Sequence, residues 1–311
     1  MAEVNQIESV MILGAGPAGL SAALYAARGE LHPLVFTGMQ PGGQAALTDS
    51  IENYPGFPDG VGGVELGELF QKQAERFGAR MEYDVVTSVD FSTKPIRINT
   101  YNREYRAETV IIATGASAIL LNVPGEKELT GKGVSYCATC DGWFFKEKDV
   151  VVVGGGDSAL EEATFLTKFT SRVTVIHRRD EFRAGAILQS RARENPKIAF
   201  MMESTVQEIK GSGKVTSVVV QNVKTNELRE ILTDGVFVFI GHTPNNQMYK
   251  GQLELDDNGY IKVDGSMRTS VEGIYACGEA ADASFKQVVI SAGMGATAAI
   301  SVGRYLEEIG K

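Results

Sequence analysis

Apolar runs of three to five residues recur along the chain, and several of them end at a glycine. Residues 10–13 and 150–153 are two such runs, and Gly14 and Gly154 follow them directly. Runs of this length and composition are typical of strands that are buried on both faces of a parallel sheet. Further strands of this kind are predicted at residues 34–36, 109–112, 173–176, 236–240 and 274–276.

Segments that are rich in small and apolar residues, or have apolar residues three or four positions apart, lie between these runs and predict helices. They cover residues 20–28, 64–77, 160–168 and 288–306. Strands that alternate with helices in this way indicate parallel sheets covered by helices. The pattern therefore predicts an α/β protein, and a length of 311 residues leaves room for about two domains.

Each of the two glycine-ended strands opens a dinucleotide-binding fingerprint. The first comprises Gly14, Gly16, Pro17, Ala18 and Gly19, and the second comprises Gly154, Gly156, Asp157, Ser158 and Ala159. In the order strand, glycine turn and helix, the backbone can approach a pyrophosphate that faces the helix N-terminus. A glycine turn without a ligand is the less favoured alternative.

The second strand of each unit ends at a residue placed to contact the ribose of a bound nucleotide. Thr37 and His177 stand at this position, equally far beyond the two fingerprints, and His177 is followed by Arg178, Arg179 and Arg183. A basic cluster suits the 2′-phosphate of NADPH, because arginine binds phosphate in a two-pronged way. A solvated basic turn is the alternative. The sequence thus predicts NADPH in the second unit and a nucleotide without a 2′-phosphate in the first.

Cys137 and Cys140 form a C-x-x-C motif between the two fingerprints. This spacing allows either a small disulfide ring or a shared metal ion. A zinc site would need two more soft ligands, and the chain has only three cysteines and three histidines, with no second motif. A redox dithiol is therefore favoured over a metal site. The remaining thiol, Cys277, follows a strand and is expected to be buried and inert.

Asp141 follows the dithiol directly and precedes the apolar sequence Gly-Trp-Phe-Phe. An apolar setting and a nearby thiolate would both raise the pKa of its carboxyl, which would suit it to hand a proton to a thiolate. A plain turn residue is the alternative.

The composition is that of an ordinary soluble globular protein, with 43% hydrophobic and 22% charged residues. A formal net charge of −9 disfavours a nucleic-acid surface or an anionic-membrane surface, either of which would need a basic face. Residues 1–8 lack the features of a signal peptide, and no apolar run approaches the roughly 18 residues that span a bilayer. We therefore expect a cytoplasmic protein that binds neither membrane nor nucleic acid.

A series of further motifs occurs in order along nearly the whole chain. The motifs are G-A-G-P-A-G at 14–19, G-G-Q at 42–44, E-N-Y-P-G at 52–56, A-T-G at 113–115, C-A-T-C-D at 137–141, G-G-G-D-S-A at 154–159 and H-R-R-x-x-x-R at 177–183. By these motifs the sequence resembles the low-molecular-weight thioredoxin reductases, which are class II flavoprotein pyridine nucleotide-disulfide oxidoreductases. The resemblance implies an α/β fold of two Rossmann-like three-layer nucleotide-binding domains, the second inserted into the first. Residues 1–117 and 246–311 would form the FAD-binding domain, and residues 118–245 an NADPH-binding domain that carries the dithiol.

The resemblance also implies the residues that bind cofactors and the route of electrons. FAD would be held by Gly14, Gly16, Pro17, Ala18, Gly19, Thr37, Gly43, Gln44, Asn53, Ala113, Thr114, Gly115, Gly278, Glu279, Lys286, Gln287 and Val288. NADPH would be held by Gly154, Gly156, Asp157, Ser158, Ala159, His177, Arg178, Arg179 and Arg183. Electrons would pass from NADPH through FAD and the dithiol to thioredoxin or a thioredoxin-like protein disulfide, with Cys137, Cys140 and Asp141 as catalytic residues. Family members are homodimers.

Two positions depart from the family's pattern, and both lie in the flavin domain. The family has Gly-Asp where this chain has Gly278-Glu279, and aromatic-Arg-Gln where this chain has Phe285-Lys286-Gln287. A longer carboxylate and the loss of a guanidinium fork are expected to alter flavin affinity or position. As in the family, we also expect the inserted domain to swing about hinges near residues 116–122 and 241–246, so that the dithiol and NADPH take turns at one flavin.

Alternative functions use the same architecture. The enzyme could take electrons from ferredoxin or a second flavoprotein, or pass them to oxygen, but neither use requires the basic cluster at 177–183. A peroxiredoxin-reducing relative would carry an additional N-terminal thioredoxin-like domain, which we do not expect here. A non-catalytic flavin redox sensor could keep both fingerprints, and the intact C-x-x-C-D motif disfavours it.

Overall fold

The computed structural model describes residues 7–38, 42–47 and 51–311. Residues 1–6, which belong to the segment without signal-peptide features, lie outside the described residues, as do residues 39–41 and 48–50. The chain divides into two units. The first comprises Met1–Ser117 and Thr243–Lys311, and the second comprises Ala118–His242.

The elements follow one another as alternating strands and helices. The strands are β1 (Ile7–Leu13), β2 (Leu34–Phe36), β3 (Arg80–Glu82), β4 (Val86–Asp90), β5 (Ile96–Thr100), β6 (Glu104–Ile112), β7 (Ala116–Ala118), β8 (Val134–Ser135), β9 (Asp149–Gly154), β10 (Arg172–Ile176), β11 (Ile198–Met201), β12 (Ser204–Gly211), β13 (Val215–Asn222), β14 (Leu228–Leu232), β15 (Gly235–Phe239), β16 (His242–Pro244) and β17 (Ile274–Ala276). The helices are α1 (Pro17–Arg28), α2 (Gly63–Arg76), α3 (Ala138–Asp141), α4 (Asp157–Leu166), α5 (Ala186–Glu194) and α6 (Val288–Glu308), with 3₁₀ turns at Gly43–Leu47, Gly142–Phe145, Gln247–Tyr249 and Gly278–Ala280.

The predicted elements are present, and the main differences are at helix starts. Helix α1 begins at Pro17, inside the fingerprint, because proline has the φ angle of a first helical residue and needs no N–H partner there. Helix α4 likewise begins at Asp157, directly after Gly156. The N-terminus of each helix is therefore formed by the fingerprint itself.

The first unit is built on a seven-stranded sheet. Six strands have the order β3-β2-β1-β6-β5-β4, and the seventh, β17, pairs with β6. β6 is long enough to pair with antiparallel β5 through residues 104–107 and with parallel β17 through residues 110–112. β3, β2, β1, β6 and β17 all run parallel, so their carboxyl ends lie along one edge. The first glycine turn leaves β1 at this edge, which is where ligands bind in open α/β sheets.

Both faces of this sheet are buried, so it is the middle of three layers. On one face Val10 and Ile12 pack in a cluster with alanines of α1 and α6. On the other face Met11 and Leu13 pack in a second cluster with residues such as Phe91 and Tyr249. Burial on both faces explains why the strands read as continuous apolar runs instead of alternating patterns.

The second unit repeats this organisation on a smaller scale. A five-stranded parallel sheet has the order β11-β10-β9-β15-β8, and β12, β13 and β14 form a separate antiparallel sheet. Val150 and Val152 pack in a cluster with residues of α4 and α5, whereas Val151 and Val153 pack in a cluster with valines of β12 and β13. The parallel sheet again lies between two layers.

The chain passes between the units within two short strands. β7 contains the first boundary and β16 the second, and the two strands pair with each other. Within residues 7–38, 42–47 and 51–311, no helix is both long enough and apolar enough to cross a membrane.

Helices α1 and α6 pack at backbone contact through a glycine. A Cβ atom at Gly295 would lie 2.0 Å from the carbonyl oxygen of Ala18. Close by, the Ser21 hydroxyl donates to the carbonyl oxygen of Ala292 at 2.7 Å. Gly293 is on the exposed side of the same helix, with no atom within 4 Å of a Cβ placed there. Close packing against α1 therefore requires glycine at position 295, whereas no such contact is present at Gly293.

Alanine substitutions at these two glycines should have opposite effects on stability. Gly295→Ala should lower the free energy of unfolding by about 1 to 3 kcal/mol, because α6 must move away from α1. Gly293→Ala should leave it unchanged or raise it by up to about 1 kcal/mol, since alanine is the better helix former and meets no neighbour. Melting temperatures of the two variants provide the test, and equal shifts would contradict this account of the helix packing.

Candidate active site

The dithiol of the second unit follows the end of an edge strand. β8 pairs with β15 at the margin of the parallel sheet, and the chain then passes through Cys137 into helix α3. Cys137 and Cys140 are joined as a disulfide, with their Cα atoms 5.4 Å apart. Both cysteines are partly exposed. The prediction of a disulfide-forming pair is confirmed, and its exposure allows another molecule to reach the sulfur atoms.

A buried hydroxyl connects the dithiol to the neighbouring carboxyl. Ser135 Oγ lies 2.5 Å from Asp141 Oδ2 and 3.2 Å from the carbonyl oxygen of Cys137, and it accepts the Cys137 N–H at 3.1 Å. Ser135 is only 4% exposed. The sequence analysis did not single out Ser135. The available signal was a small polar residue at the end of an apolar strand, two positions before the C-x-x-C motif.

Polar and aromatic groups next to the dithiol face outward. Thr139 Oγ1 lies 3.4 Å from Cys137 Sγ and can donate a hydrogen bond to that sulfur atom when the disulfide is open. In the 3₁₀ turn that follows, Trp143 is 52% exposed and Phe144 is 37% exposed, while Phe145 is buried. Large apolar side chains exposed beside a reactive pair are typical of a protein-contact surface.

A buried carboxylate holds the first segment of the second unit against the strand that leads to the dithiol. Glu126 is 1% exposed and accepts the N–H groups of Leu121 and Asn122 at 2.9 and 2.7 Å. It also accepts the Tyr136 hydroxyl at 3.0 Å. Burial raises the pKa of Tyr136 to about 12, so the phenol remains a donor at neutral pH. Leu121 and Asn122 are thus fixed to the dithiol region of their own unit.

Two glycines of the first fingerprint are required by packing, and the third leaves open space. A Cβ at Gly14 would lie 2.3 Å from the Ala113 carbonyl oxygen, and a Cβ at Gly19 would lie 1.9 Å from the Gly14 carbonyl oxygen. At Gly16 the nearest atom to such a Cβ is Gly43 Cα, at 3.8 Å. Gly16 therefore leaves room for a phosphate to approach the N-terminus of α1.

The fold brings predicted flavin residues together from distant parts of the chain. Asn53 Nδ2 donates to Gln287 Oε1 at 3.2 Å, and Gln287 directly precedes Val288 at the start of α6. A Cβ at Gly278 would lie 2.7 Å from Ala18 Cβ in the first turn of α1. The C-terminal segment thus contributes to the same sheet edge as the first fingerprint, while Gln44 is exposed.

Polar atoms at this edge fit a polar ligand such as the predicted FAD. Oδ1 of Asn246 is buried and makes no hydrogen bond of ordinary geometry among the residues that the structure describes. The Thr37 hydroxyl donates to the carbonyl oxygen of Gly38 at 3.0 Å, so its oxygen can still accept from a ribose hydroxyl. An unpaired buried donor or acceptor is unfavourable, and a bound ligand would satisfy it.

The two departures from the family's pattern are electrostatically coupled. Burial raises the pKa of Glu279 to about 6, and the Lys286 ammonium counteracts this rise. Burial lowers the pKa of Lys286, and Glu279 counteracts that change as well. Asp282 accepts the backbone N–H groups of Ser284, Phe285 and Lys286 at 2.8 to 2.9 Å, and it holds Lys286 at a φ of +53°. Glu279 and Lys286 therefore act together in this loop.

The second fingerprint has the same division of roles among its glycines. A Cβ at Gly154 would lie 2.4 Å from the Phe239 carbonyl oxygen, and a Cβ at Gly155 would lie 2.2 Å from the His177 ring. A Cβ at Gly156 would meet no atom within 4 Å. Gly156 is thus the open position at the N-terminus of α4. The packing role of Gly155 was missed by the sequence analysis, because only the folded chain brings His177 beneath it.

The other members of the second fingerprint differ in their exposure. Asp157 Oδ1 accepts the Gly185 N–H at 2.7 Å and so ties the fingerprint to the start of α5. Ser158 is exposed in the first turn of α4, whereas Ala159 is fully buried. Ser158 is accessible to a ligand, and Ala159 serves the close packing of helix against strand.

His177, a predicted contact of the 2′-phosphate, is buried, unlike the arginines that follow it. His177 is 6% exposed, its Nε2 is 3.1 Å from the Glu181 carbonyl oxygen, and its ring stacks on Phe182. Burial, and secondarily the nearby arginines, lower the pKa of His177, so the ring is neutral at pH 7. Arg178 and Arg179 are exposed, as is Arg183, and these three side chains supply the positive charge of the cluster.

The third cysteine lies outside this chemistry. Cys277 is completely buried as a free thiol, and burial raises its pKa to about 12. A thiol that does not ionise near neutral pH is a poor nucleophile. The prediction that Cys277 is buried is confirmed, and its inertness stays a prediction.

Comparisons with known proteins agree with this geometry. Residues 8–295 match the family described as pyridine nucleotide-disulphide oxidoreductase. The chain is 47% identical over 309 residues to the thioredoxin reductase of Mycolicibacterium smegmatis, covering 99% of both chains. The crystal structure of thioredoxin reductase from Streptococcus pyogenes superposes with a TM-score of 0.94 at 44% identity, covering 98% of this chain and 99% of that one. Thioredoxin reductase from Giardia duodenalis superposes with a TM-score of 0.92 at 42% identity, covering 97% and 100%. The predicted family resemblance and fold class are confirmed.

The raised pKa of Glu279 predicts a pH-dependent stability of the flavin-free protein. A carboxyl whose pKa rises from 4.5 to about 6 on folding contributes stability that is present below pH 4.5 and lost as the pH rises through 6. Glu279→Gln removes this loss. The melting temperature of the variant should therefore rise relative to the wild type between pH 5 and pH 7, by the equivalent of at most about 2 kcal/mol. Glu307→Gln, at an exposed position of α6, is the matched control and should show a constant difference. If the melting temperatures of Glu279→Gln and the wild type differed by the same amount from pH 5 to pH 7, the argument that burial raises the pKa of Glu279 would be contradicted.

Proposed function

The chain belongs to the pyridine nucleotide-disulphide oxidoreductase family, and we propose that it is a flavin-dependent thioredoxin reductase that takes electrons from NADPH. The observation that carries the proposal is the partly exposed Cys137–Cys140 disulfide, in a chain with two open nucleotide-binding fingerprints. FAD, when bound, would accept a hydride from NADPH and deliver two electrons to a disulfide, two reactions that amino-acid side chains do not connect.

In this proposal the first unit binds FAD. Gly16 gives the pyrophosphate access to the N-terminus of α1, and the Thr37 hydroxyl accepts from the ribose. Thr114, whose buried hydroxyl faces the Tyr249 phenol, is also a predicted contact. The remaining predicted contacts are Gly14, Pro17, Ala18, Gly19, Gly43, Gln44, Asn53, Ala113, Gly115, Gly278, Glu279, Lys286, Gln287 and Val288.

The second unit binds NADPH. Gly156 leaves the N-terminus of α4 open to the pyrophosphate, and Ser158 is exposed in the same turn. Arg178, Arg179 and Arg183 supply charge-assisted hydrogen bonds for the 2′-phosphate. His177 packs against Gly155 in the turn and remains a predicted contact of the same phosphate.

The cysteines carry the reducing equivalents to the partner. When two electrons enter the Cys137–Cys140 disulfide, its S–S bond breaks, and two protons complete the dithiol. One sulfur then attacks the partner disulfide to form a mixed disulfide, and the other sulfur displaces the partner as a dithiol, which restores the Cys137–Cys140 bond. Asp141 gives one of the protons to the open dithiol and takes it back during exchange.

The partner is a thioredoxin or a similar protein with an accessible disulfide. Trp143 and Phe144 offer exposed apolar contact area directly after the dithiol. This arrangement favours a protein acceptor over a small molecule, because a small disulfide would not need such a surface.

We propose a cytoplasmic homodimer as the working form. Val289 and Ile300 are exposed apolar residues of α6 that could pack against a second copy of the chain. Sedimentation of the purified protein should give twice the mass of the chain. A redox-active thiol pair together with a buried free thiol suits the reducing cytoplasm.

The proposed function is tested by separating its two half-reactions. Under anaerobic conditions NADPH should bleach the flavin rapidly, whereas NADH should do so slowly. The reduced protein should then reduce oxidised thioredoxin. In the Cys137→Ser/Cys140→Ser double variant the flavin should still be bleached, but thioredoxin should stay oxidised. If neither nucleotide bleaches a flavin that dithionite reduces, the electron donor is different. If the wild type bleaches and thioredoxin still stays oxidised, the acceptor is different.

Substitution of the arginine cluster should change nucleotide preference. Each of Arg178→Gln, Arg179→Gln and Arg183→Gln should raise the KM for NADPH about tenfold, because each removes a charge-assisted hydrogen bond to the 2′-phosphate. The KM for NADH should not change. Arg191→Gln, at an exposed position of α5, is the control and should affect neither nucleotide. An equal loss with both nucleotides would show that the cluster does not contact the 2′-phosphate.

A further inference from the structure

Ser135 is fixed in position by the sheet and lies between the dithiol backbone and the Asp141 carboxyl. Its backbone belongs to β8, where Ser135 is opposite Phe237 of β15. Its hydroxyl is buried and has three polar neighbours, the Cys137 N–H at 3.1 Å, the Cys137 carbonyl oxygen at 3.2 Å and Asp141 Oδ2 at 2.5 Å. A hydroxyl has one proton to donate and two lone pairs to accept with.

This geometry satisfies the buried groups in both protonation states of Asp141. When Asp141 is ionised, the Ser135 proton is donated to Oδ2, and Ser135 Oγ accepts the Cys137 N–H. When Asp141 is protonated, its own proton can be donated to Ser135 Oγ, and the Ser135 proton turns to the Cys137 carbonyl oxygen. The Cys137 N–H keeps its acceptor throughout. Only the hydroxyl proton rotates between the two arrangements, and no heavy atom has to move.

We infer that Ser135 is a positioning residue for proton transfer at the dithiol, because its hydroxyl supports Asp141 before and after the carboxyl gives up its proton. The inference rests on the proposed function. As two electrons enter the Cys137–Cys140 bond, the bond breaks to two thiolates. Asp141 transfers its proton to one thiolate and becomes a carboxylate, and solvent supplies the other proton. The Ser135 hydroxyl then donates to the new carboxylate. During exchange with the partner, the carboxylate takes the proton of the attacking thiol. The proton of the second thiol and one proton from solvent then go to the two sulfur atoms of the partner.

The test uses two comparisons, and in each of them one protein has the hydroxyl at position 135 and the other lacks it. Ser135→Ala is compared with the wild type, and Ser135→Val is compared with Ser135→Thr, which has the same shape but keeps the hydroxyl. In anaerobic stopped-flow experiments on the FAD-loaded protein, flavin bleaching by NADPH should stay within about twofold of the wild type in all variants. Reduction of oxidised thioredoxin by the reduced protein should slow about tenfold in Ser135→Ala and Ser135→Val. Ser135→Thr should keep most of the wild-type rate.

The Asp141→Asn variant distinguishes a positioning role of Ser135 from a general structural effect. If Ser135 acts through Asp141, Ser135→Ala should cause no further slowing in a protein that already carries Asp141→Asn. A merely structural role would slow both half-reactions and would add to the effect of Asp141→Asn.

Three results would overturn the inference. They are equal exchange rates in Ser135→Ala and the wild type, equal rates in Ser135→Val and Ser135→Thr, and full additivity with Asp141→Asn. If a variant of one comparison does not retain flavin, the exchange rates of the other comparison decide the test. A wild type that bleaches with NADPH but leaves thioredoxin oxidised contradicts the proposed function instead, and the same comparison is then made with a small aromatic disulfide as acceptor.

Discussion

Close backbone contact at the carboxyl ends of the parallel strands is the constraint on which both units depend. Gly14 lies against the carbonyl of Ala113, which directly follows β6, and Gly154 lies against the carbonyl of Phe239, at the end of β15. A side chain at either glycine would push the neighbouring strand away. Two residues beyond each contact lies the open glycine, directly before the first residue of the helix. The same packing solution therefore creates both nucleotide sites.

The reactive pair is placed where a rigid sheet ends and exposed structure begins. β8 is held by β15 on one side, and Ser135 at its end has a defined position. The following turn exposes the cysteines and Trp143. Proton transfer requires a carboxyl at a fixed distance from its partners, whereas exchange with another protein requires accessible sulfur atoms. The end of the edge strand fixes Ser135 beside the Asp141 carboxyl and leaves both cysteines partly exposed.

Burial determines how charge is distributed at the two nucleotide sites. In the second unit it lowers the pKa of His177, whereas Arg178, Arg179 and Arg183 are exposed. In the first unit it shifts the pKa values of Glu279 and Lys286 in opposite directions, and each group moderates the shift of the other. A substitution at either of these two positions thus changes the electrostatics of the other.

Much of this protein is determined by local sequence. The apolar runs before Gly14 and Gly154 predict buried parallel strands, because a strand covered on both faces needs no polar alternation. The spacing of Cys137 and Cys140 alone allows a disulfide, since two thiols three positions apart can meet within one turn. Tertiary structure decided the rest. Whether His177 carries a charge depends on its burial beneath Gly155, and the pairing of Asn53 with Gln287 joins residues 234 positions apart. The role of Ser135 depends on a hydrogen bond to a carboxyl six residues away. Burial and contacts between distant or differently oriented segments have no signature in sequence spacing, because they arise only when the chain has packed.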